Sequence, residues 1–194
     1  FEGKDLTHPW AANIIDLCPV GALLSKDFLN KARAWELDRS ASICPGCTQG
    51  CNITVEVRDN NIARLKPRPN DDVNKFFMCD YGRLNYRWMN RQDRAEKPMV
   101  RANGVLTETD WESAIHSAAG LLTNAKVFVL ASPNLSNESL FLLSELIEHN
   151  NGTGVFRVAT GDEAPLLGVE DLALRRDRAA NVTGAEFLGY SRSD

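Results

Sequence analysis

Residues 44–57 read CPGCTQGCNITVEV. Three cysteines fall in the first eight positions, and an alternation of apolar and polar residues follows directly. Cys44, Cys47 and Cys51 are three of only five cysteines in a chain of 194 residues. Ile53–Val57 alternates, Asp59-Asn60-Asn61 is a turn signal, and Ile62–Leu65 alternates again, which predicts a β-hairpin. Pro67 and Pro69 close it. A fourth cysteine, Cys79, comes after the loop that follows the second strand. A hairpin therefore offers a way to return Cys79 to the first three.

The spacing is C-x2-C-x3-C-x27-C. Cys-x2-Cys on a tight loop lets two thiolates face one metal centre, and Gly46 and Gly50 free the backbone where it must curl. Structural zinc takes four thiolates tetrahedrally, usually from two separated Cys-x2-Cys pairs. A 4Fe–4S cube also takes four thiolates, and it favours several from one loop with the last from elsewhere. The three-plus-one arrangement favours the cube, with zinc the second reading and four unrelated buried cysteines the third.

The rest of the chain bounds the problem. Its net charge is −4, with 43% hydrophobic and 25% charged residues, as in an ordinary globular protein. No apolar run approaches the length of a membrane span. The chain begins FEGKDLTHPW, without an initiator Met or a signal-peptide pattern, which reads as the interior of a longer protein. Without an export signal, and with an odd number of cysteines, reduced thiols are expected rather than disulfides.

Helical periodicity predicts helices over Ala22–Ala34 and Asn137–His149. A third helix follows a capping box at Thr109-Asp110-Trp111-Glu112, with Thr109 as N-cap and Trp111, Ile115, Ala118, Ala119 and Leu122 on one face. Residues 94–106 read as an extended linker. Val127–Leu130 and Val155–Val158 read as buried strands on either side of a helix, a βαβ unit with parallel strands. Asn150-Asn151-Gly152 ends that helix. After Gly161 little periodicity is left.

Cys18 stands alone in DLCPVGAL. A Cys-Pro of this kind closes ferredoxin-type runs whose other cysteines lie upstream; the alternative is a buried small hydrophobe. Taken together, DLCPVGALLSKDF, CPGCTQGCNITVEV, MCDYGRLNYRWMNRQDR and PMVRANGVLTETDWESAI resemble the large iron–sulfur subunit (75 kDa type) of bacterial NADH:quinone oxidoreductase, respiratory complex I. The similarity extends more distantly to the molybdopterin oxidoreductase superfamily. It is strongest over residues 14–116 and weak after about 160.

The resemblance implies that Cys44, Cys47, Cys51 and Cys79 bind one 4Fe–4S cluster, lying off the main electron path. It implies that Cys18 is the last ligand of a second 4Fe–4S cluster on that path, with its other ligands upstream. In this chain Cys18 is then expected to be an unpartnered thiol near a surface, with Phe1–Asp16 packing poorly on the rest. Mitochondrial relatives generally lack the four-cysteine module, so a bacterial source is implied.

The implied fold is α+β to α/β. Residues 1–35 would be the end of an upstream ferredoxin-like domain, 36–93 a small 4Fe–4S hairpin domain, and 94–194 a fragment of a doubly wound parallel α/β domain. The implied role is electron transfer from NADH and FMN towards quinone. The implied partners are the FMN- and NADH-binding subunit and other iron–sulfur subunits, and the location is peripheral, on the cytoplasmic side of the inner membrane.

One departure from the superfamily stands out. Its molybdenum and tungsten enzymes place a lysine two residues after the fourth cysteine, where it bridges cluster and pterin. Here that position is Tyr81, so no bound pterin is expected. Related hydrogenase or formate dehydrogenase subunits remain the alternative, as does a zinc-stabilised or metal-free assembly domain without a redox role.

Other candidates weigh less. Arg83, Arg87, Arg91 and Arg94 sit among Tyr81, Tyr86 and Trp88, a mix that can bind nucleic acid. The acidic total charge argues instead for a helix that packs its aromatics and solvates its arginines. Arginines near a four-thiolate cluster could also raise its potential. His8, His116 and His149 have no metal-ligand spacing around them. No G-x-G-x-x-G, Walker motif or catalytic triad spacing occurs, so neither a dinucleotide nor a catalytic residue is expected here.

Overall fold

A computed structural model describes residues 5–193. Two compact units emerge from the tertiary contacts: 5–90 with 158–183, and 91–157 with 184–193.

The first unit is built on an antiparallel sheet in the order β1-β2-β3, with β1 Asp38–Ile43, β2 Asn52–Arg58 and β3 Asn61–Pro67. The predicted hairpin is β2–β3. Arg58 pairs with Asn61, and the two turn residues, Asp59 and Asn60, both have positive φ, at 49° and 59°. Two left-handed residues in a two-residue loop are the type I′ arrangement, whose twist matches that of the strands. β1 lies on the outer edge of β2, where no strand is expected from the sequence. Its six residues are all exposed, so neither face of it imposes an apolar alternation.

The core of this unit lies on one face of the sheet. Ile53 and Leu65 are almost fully buried there with Met78, Tyr86 and Trp10. Two short helices flank it, α1 Asn13–Leu17 and α2 Asp80–Leu84, and 3-10 turns span Ala34–Glu36 and Arg87–Asn90. Asn74, wholly buried, joins the loop before α2 to the sheet. Its side chain accepts from the Asn52 amide at 2.9 Å and donates to the carbonyls of Arg68 and Phe77 at 3.2 and 3.1 Å.

Three expectations for this unit need correction. Ala22–Ala34 is not a helix. Residues 26–31 form turns, Asn30 has φ of 66°, and Leu23, Leu24 and Leu29 stay exposed. Side chains hold the segment instead. Tyr86 Oη donates to Asp27 at 2.5 Å, Lys31 reaches the same hydroxyl, Arg87 pairs with Asp27 at 2.8 Å, and Arg64 lies 3.8 Å over the Phe28 ring.

The arginine-rich stretch does not solvate all its charges either. Arg83 is buried and paired with Asp16 at 2.6 Å. Nor does the N-terminal segment pack poorly where it is described. Phe1–Lys4 lie outside the described residues, but Trp10 is 3% exposed and its indole N–H donates to the Ala164 carbonyl at 3.0 Å. A buried aromatic with its polar atom satisfied is a strong anchor. Ala164 belongs to a two-stranded ladder formed by β8 Ala164–Pro165 and β9 Ala173–Leu174.

The second unit contains a hairpin, β4 Met99–Ala102 and β5 Val105–Glu108, in place of the expected linker. Asn103 and Gly104 supply its two positive φ values, 51° and 82°. Helix α3 (Trp111–Leu122) is capped by Asp110, not Thr109: the Asp110 carboxylate accepts from the Ser113 amide at 2.8 Å. α3 buries none of its residues, and Trp111 and Ile115 are exposed.

The βαβ unit is present as β6 Phe128–Ala131, α4 Asn137–His149 and β7 Thr153–Phe156, with β6 and β7 parallel. A third strand, β10 Ser191–Arg192, pairs parallel with the other side of β7 and follows helix α5 (Val182–Phe187). β6 is not buried on both faces as expected. Phe128 and Leu130 are exposed, whereas Ala131 is buried.

α4 keeps the predicted bounds. Ser136 caps its start, and a Schellman motif ends it: Gly152 donates to Ile147 at 2.8 Å, Asn151 donates to Glu148 at 3.1 Å, and Asn151 is left-handed. Leu140 and Phe156 form the fully buried centre of this unit, and Tyr190 Oη donates to the Leu140 carbonyl at 2.7 Å.

Candidate metal centre

The loop 44–51 leaves β1 and returns into β2. It is closed by the Cys44 amide, which donates to the Cys51 carbonyl at 2.8 Å. Gly50, at φ of 61°, makes the turn that only a residue without Cβ takes freely. Cys79 caps the start of α2, and its thiol accepts from the Gly82 amide at 3.3 Å. The Gly46 amide likewise points at the Cys44 thiol, at 3.4 Å. Helix α2 comes so near the loop that a Cβ on Gly82 would lie 2.8 Å from Cys44 Sγ and 3.6 Å from Cys79 Sγ.

Cys44, Cys47, Cys51 and Cys79 are all buried, none more than 4% exposed, and all four belong to one core cluster with Ile53, Leu65, Met78 and Trp10. Burial pushes the Cys44 thiol up to about 12, against the Gly46 hydrogen bond, and the neighbouring Cys79 and Cys47 sulfurs push the same way. Cys51 is raised further, by burial and then by Cys44, Cys47 and Cys79. Cys79 stands at about 11: burial raises it, the Gly82 amide lowers it, Cys47 and Asp80 raise it, and Arg178 lowers it.

This is an expensive place to leave four sulfurs unless something positive joins them. Thiolates there need a compensating charge. Among the described residues, no group of three or more His, Cys, Asp or Glu side chains is gathered as a single-ion site. One tetrahedral zinc would need its sulfurs about 2.3 Å from a common point. A cube has four irons at its corners and takes each thiolate at a different one, so its sulfurs stand further apart. The donor set, its burial and the two amide donors to sulfur fit that wider group.

Cys18 is placed differently. It follows α1 in extended conformation, is half-buried, and stands outside the core cluster of the other four. Backbone amides of Leu23, Val20, Ala22 and Gly21 turn towards its thiol, and together they hold its pKa below the ordinary value against a smaller opposing effect of burial. The Cys18 segment is fastened to α2. Arg83 donates to Asp16, Asn13 Oδ1 accepts from the Met78 amide at 3.0 Å, and the Asp80 carboxylate accepts from the Ala12 amide at 3.0 Å.

Residues 158–183 bring side chains to this site that no sequence pattern places there. The Thr48 amide donates to the Asp177 carbonyl at 3.1 Å, and Gln49 Oε1 accepts from Arg175 Nε at 2.8 Å. The Arg178 guanidinium lies 5.0 Å from the centre of the Tyr81 ring. Asp177 and Arg175 are separated from the loop by more than 120 positions, and no short-range signal marks them. His8 Nδ1 accepts from the Trp10 amide at 3.3 Å.

Residues 38–91 match the molybdopterin oxidoreductase Fe4S4 domain. Over 150 residues, 76% of this chain, it is 34% identical to the second G subunit of NADH-quinone oxidoreductase from Rhizobium meliloti, covering 18% of that protein. It is 36% identical over 147 residues to the G subunit of the same enzyme from Pseudomonas fluorescens, and 34% identical over 157 residues to that from Escherichia coli K12. Those matches cover 75% and 79% of this chain, and 16% and 17% of the two relatives. The chain thus spans under a fifth of the length of these relatives. Over three quarters of its length the chain is therefore similar to G subunits of NADH-quinone oxidoreductase, and the stretch that matches the Fe4S4 domain contains Cys44, Cys47, Cys51 and Cys79.

Proposed function

We propose that Cys44, Cys47, Cys51 and Cys79 hold one 4Fe–4S cluster, and that the chain is an electron-carrying segment of an NADH:quinone oxidoreductase. The observation that carries this reading is the burial of all four thiols in one core, two of them already accepting backbone N–H bonds. When bound, such a cluster takes up and releases single electrons. The chain's own part is to supply four thiolates, to donate the Gly46 and Gly82 amides to sulfur, and to exclude water with Ile53, Leu65, Met78 and Trp10. Burial and hydrogen bonds to sulfur set the potential. No side chain need act as acid, base or nucleophile.

Cys18 is the final ligand of a second 4Fe–4S cluster in this reading, with its other ligands elsewhere in the protein. The ring of backbone amides around its thiol supports the assignment, since amide donors stabilise a bound thiolate. The path runs from NADH and FMN, bound by another subunit, towards quinone, with other iron–sulfur subunits as partners. The location is peripheral, on the cytoplasmic side of the inner membrane; no described helix is long and apolar enough to cross a membrane. The parallel β6-β7-β10 ladder supports part of a doubly wound domain, and Tyr81 supports a fold of pterin-enzyme type that binds no pterin.

Iron, acid-labile sulfide and zinc analysis of anaerobically purified protein tests the reading, with EPR after reduction. The expected result is about four irons per four-cysteine site, and a signal lost in each single Cys→Ser variant of Cys44, Cys47, Cys51 and Cys79. Stoichiometric zinc without sulfide would refute it.

A further inference from the structure

Arg178 is a cationic side chain that segment 158–183 brings to this site, and several contacts hold it in place. Its guanidinium lies over Tyr81, two residues into the turn that Cys79 begins. Nη1 donates to the Arg175 carbonyl at 2.6 Å and Nη2 to the Asp162 carbonyl at 2.7 Å. Its own amide donates to the Ala159 carbonyl at 2.8 Å. Gly161 leaves just enough room: a Cβ there would fall 2.7 Å from Nη2 and 2.9 Å from Nε. These side-chain hydrogen bonds go to neutral carbonyls. Among the described residues no carboxylate is paired with Arg178 in a salt bridge, whereas Arg83, Arg87 and Arg175 each have one. The charge of Arg178 is therefore fixed in place and not cancelled by a partner.

We propose that Arg178 is a potential-setting residue of the Cys44–Cys79 cluster, its clamped and uncancelled charge over Tyr81 favouring the reduced state. The inference rests on the cluster assignment above. Reduction adds one electron to a centre that already carries net negative charge from four thiolates. A fixed cation nearby lowers the free energy of the reduced form more than that of the oxidised form. Arg178 is not a ligand. It acts through position alone, which makes segment 158–183 part of the redox site although it contains no cysteine.

The test is an EPR-monitored redox titration of the full-length protein carrying its clusters, with iron and sulfide measured on each sample. Arg178→Gln removes the charge and keeps a hydrogen-bonding group. It is expected to retain iron and to lower the midpoint potential by about 59 mV, a tenfold change in the reduced-to-oxidised ratio for one electron. Arg178→Lys keeps the charge and is expected to restore most of that difference. Gly161→Ala leaves the charge in place but displaces the flexible end of the side chain. It is expected to shift the potential the same way by less, and it provides a reading should the glutamine variant lose its fold.

An unchanged potential in both Arg178→Gln and Gly161→Ala, with iron intact, would overturn this inference and leave the cluster assignment standing. So would a lysine variant that shifts as far as the glutamine one. A wild-type protein with no cluster signal would overturn the assignment and this inference with it.

Discussion

The nearest approach in the site is that of helix α2 to the Cys44 thiol, and Gly82→Ala probes it. The added Cβ would meet Cys44 Sγ at 2.8 Å and Met78 Cε at 3.2 Å. Ordinary contacts of this kind lie at about 3.5–4.0 Å, so something must open by close to 1 Å. Overpacking of that order costs about 1–3 kcal/mol. Alanine in place of glycine returns about 1 kcal/mol of helix propensity. The net loss of stability is therefore small, about 0–2 kcal/mol. Metal binding is the sharper readout, because metal–ligand distances tolerate only about 0.2 Å.

Gly82→Ala should purify folded and with well under half the wild-type iron and sulfide. Gly46→Ala is a graded control: its Cβ would meet Cys44 Sγ, Gly82 Cα and Tyr81 Cδ1 all at 3.4 Å, which small shifts relieve. It should keep most of its iron. Gly120→Ala, in α3 with nothing within 4 Å, should keep all of it and gain about 0.5–1 kcal/mol. A Gly82→Ala protein with wild-type iron content and an unaltered EPR line shape would refute the reasoning, because the loaded site would then not bring the helix against that thiol.

Asp27→Asn should destabilise the first unit by about 1–2 kcal/mol at pH 7 in urea unfolding, a figure discounted for the exposure of Arg87 and Lys31. Burial opposes ionisation of Asp27, but hydrogen bonds from Arg87, Tyr86 and Lys31 prevail and hold its pKa at about 2, below the ordinary 3.8. The depressed value means that this stabilisation is full above about pH 4 and is lost as pH falls towards 2, so wild type and variant should converge in acid; a gap independent of pH would contradict it. Asn74→Ala leaves the Asn52 amide and the Arg68 and Phe77 carbonyls without their partner, and should lower stability by about 2–4 kcal/mol in thermal or urea unfolding. Cys18→Ala in the full-length protein should abolish one EPR signal and spare the signal of the Cys44–Cys79 site. Unchanged signals with full iron would make Cys18 a packing residue.

Legibility in the sequence follows the range of the forces involved. The β2–β3 hairpin is readable because alternation and the Asp59-Asn60 turn lie within a few residues of each other. α4 is readable because Ser136, its apolar period and the Asn-Asn-Gly end are all local. β1 is not, since a strand with both faces exposed carries no alternation. The β4–β5 hairpin escapes although Asn103-Gly104 announces it, because four-residue strands give alternation too little length. The apolar period of residues 22–34 suggests a helix, but bonds from Asp27 and Lys31 to Tyr86, more than fifty residues away, hold a different backbone there. Cysteine spacing points to the four thiols that one core buries together. Nothing in it can point to Arg178, whose place depends on a two-residue ladder, β8–β9, and on single backbone hydrogen bonds.

The distribution of partners around the thiols bears on why this unit recruits residues from so far along the chain. The core that holds Cys44, Cys47, Cys51 and Cys79 is small: beside the cysteines, its fully closed members are Trp10, Ile53, Leu65, Met78, Tyr86, Leu172 and Leu174. Two of those seven come from residues 158–183, and Trp10 comes from before α1. A sheet of three short strands with one face covered cannot by itself shield four sulfurs from water, and a domain of this size gains little from its apolar core alone. The chain covers the loop from both sides: Trp10 hydrogen-bonds to Ala164, and Gln49 joins Arg175 to the loop on one side and Val73 to it on the other. Each tie is a single hydrogen bond, worth about 1 kcal/mol net. Their joint effect is to close the core over thiols whose burial makes them poor acids, so the bonds that the proposed cluster would form with those sulfurs would be part of what holds the unit together. Folding of this unit and occupation of the proposed cluster site would then be one coupled equilibrium.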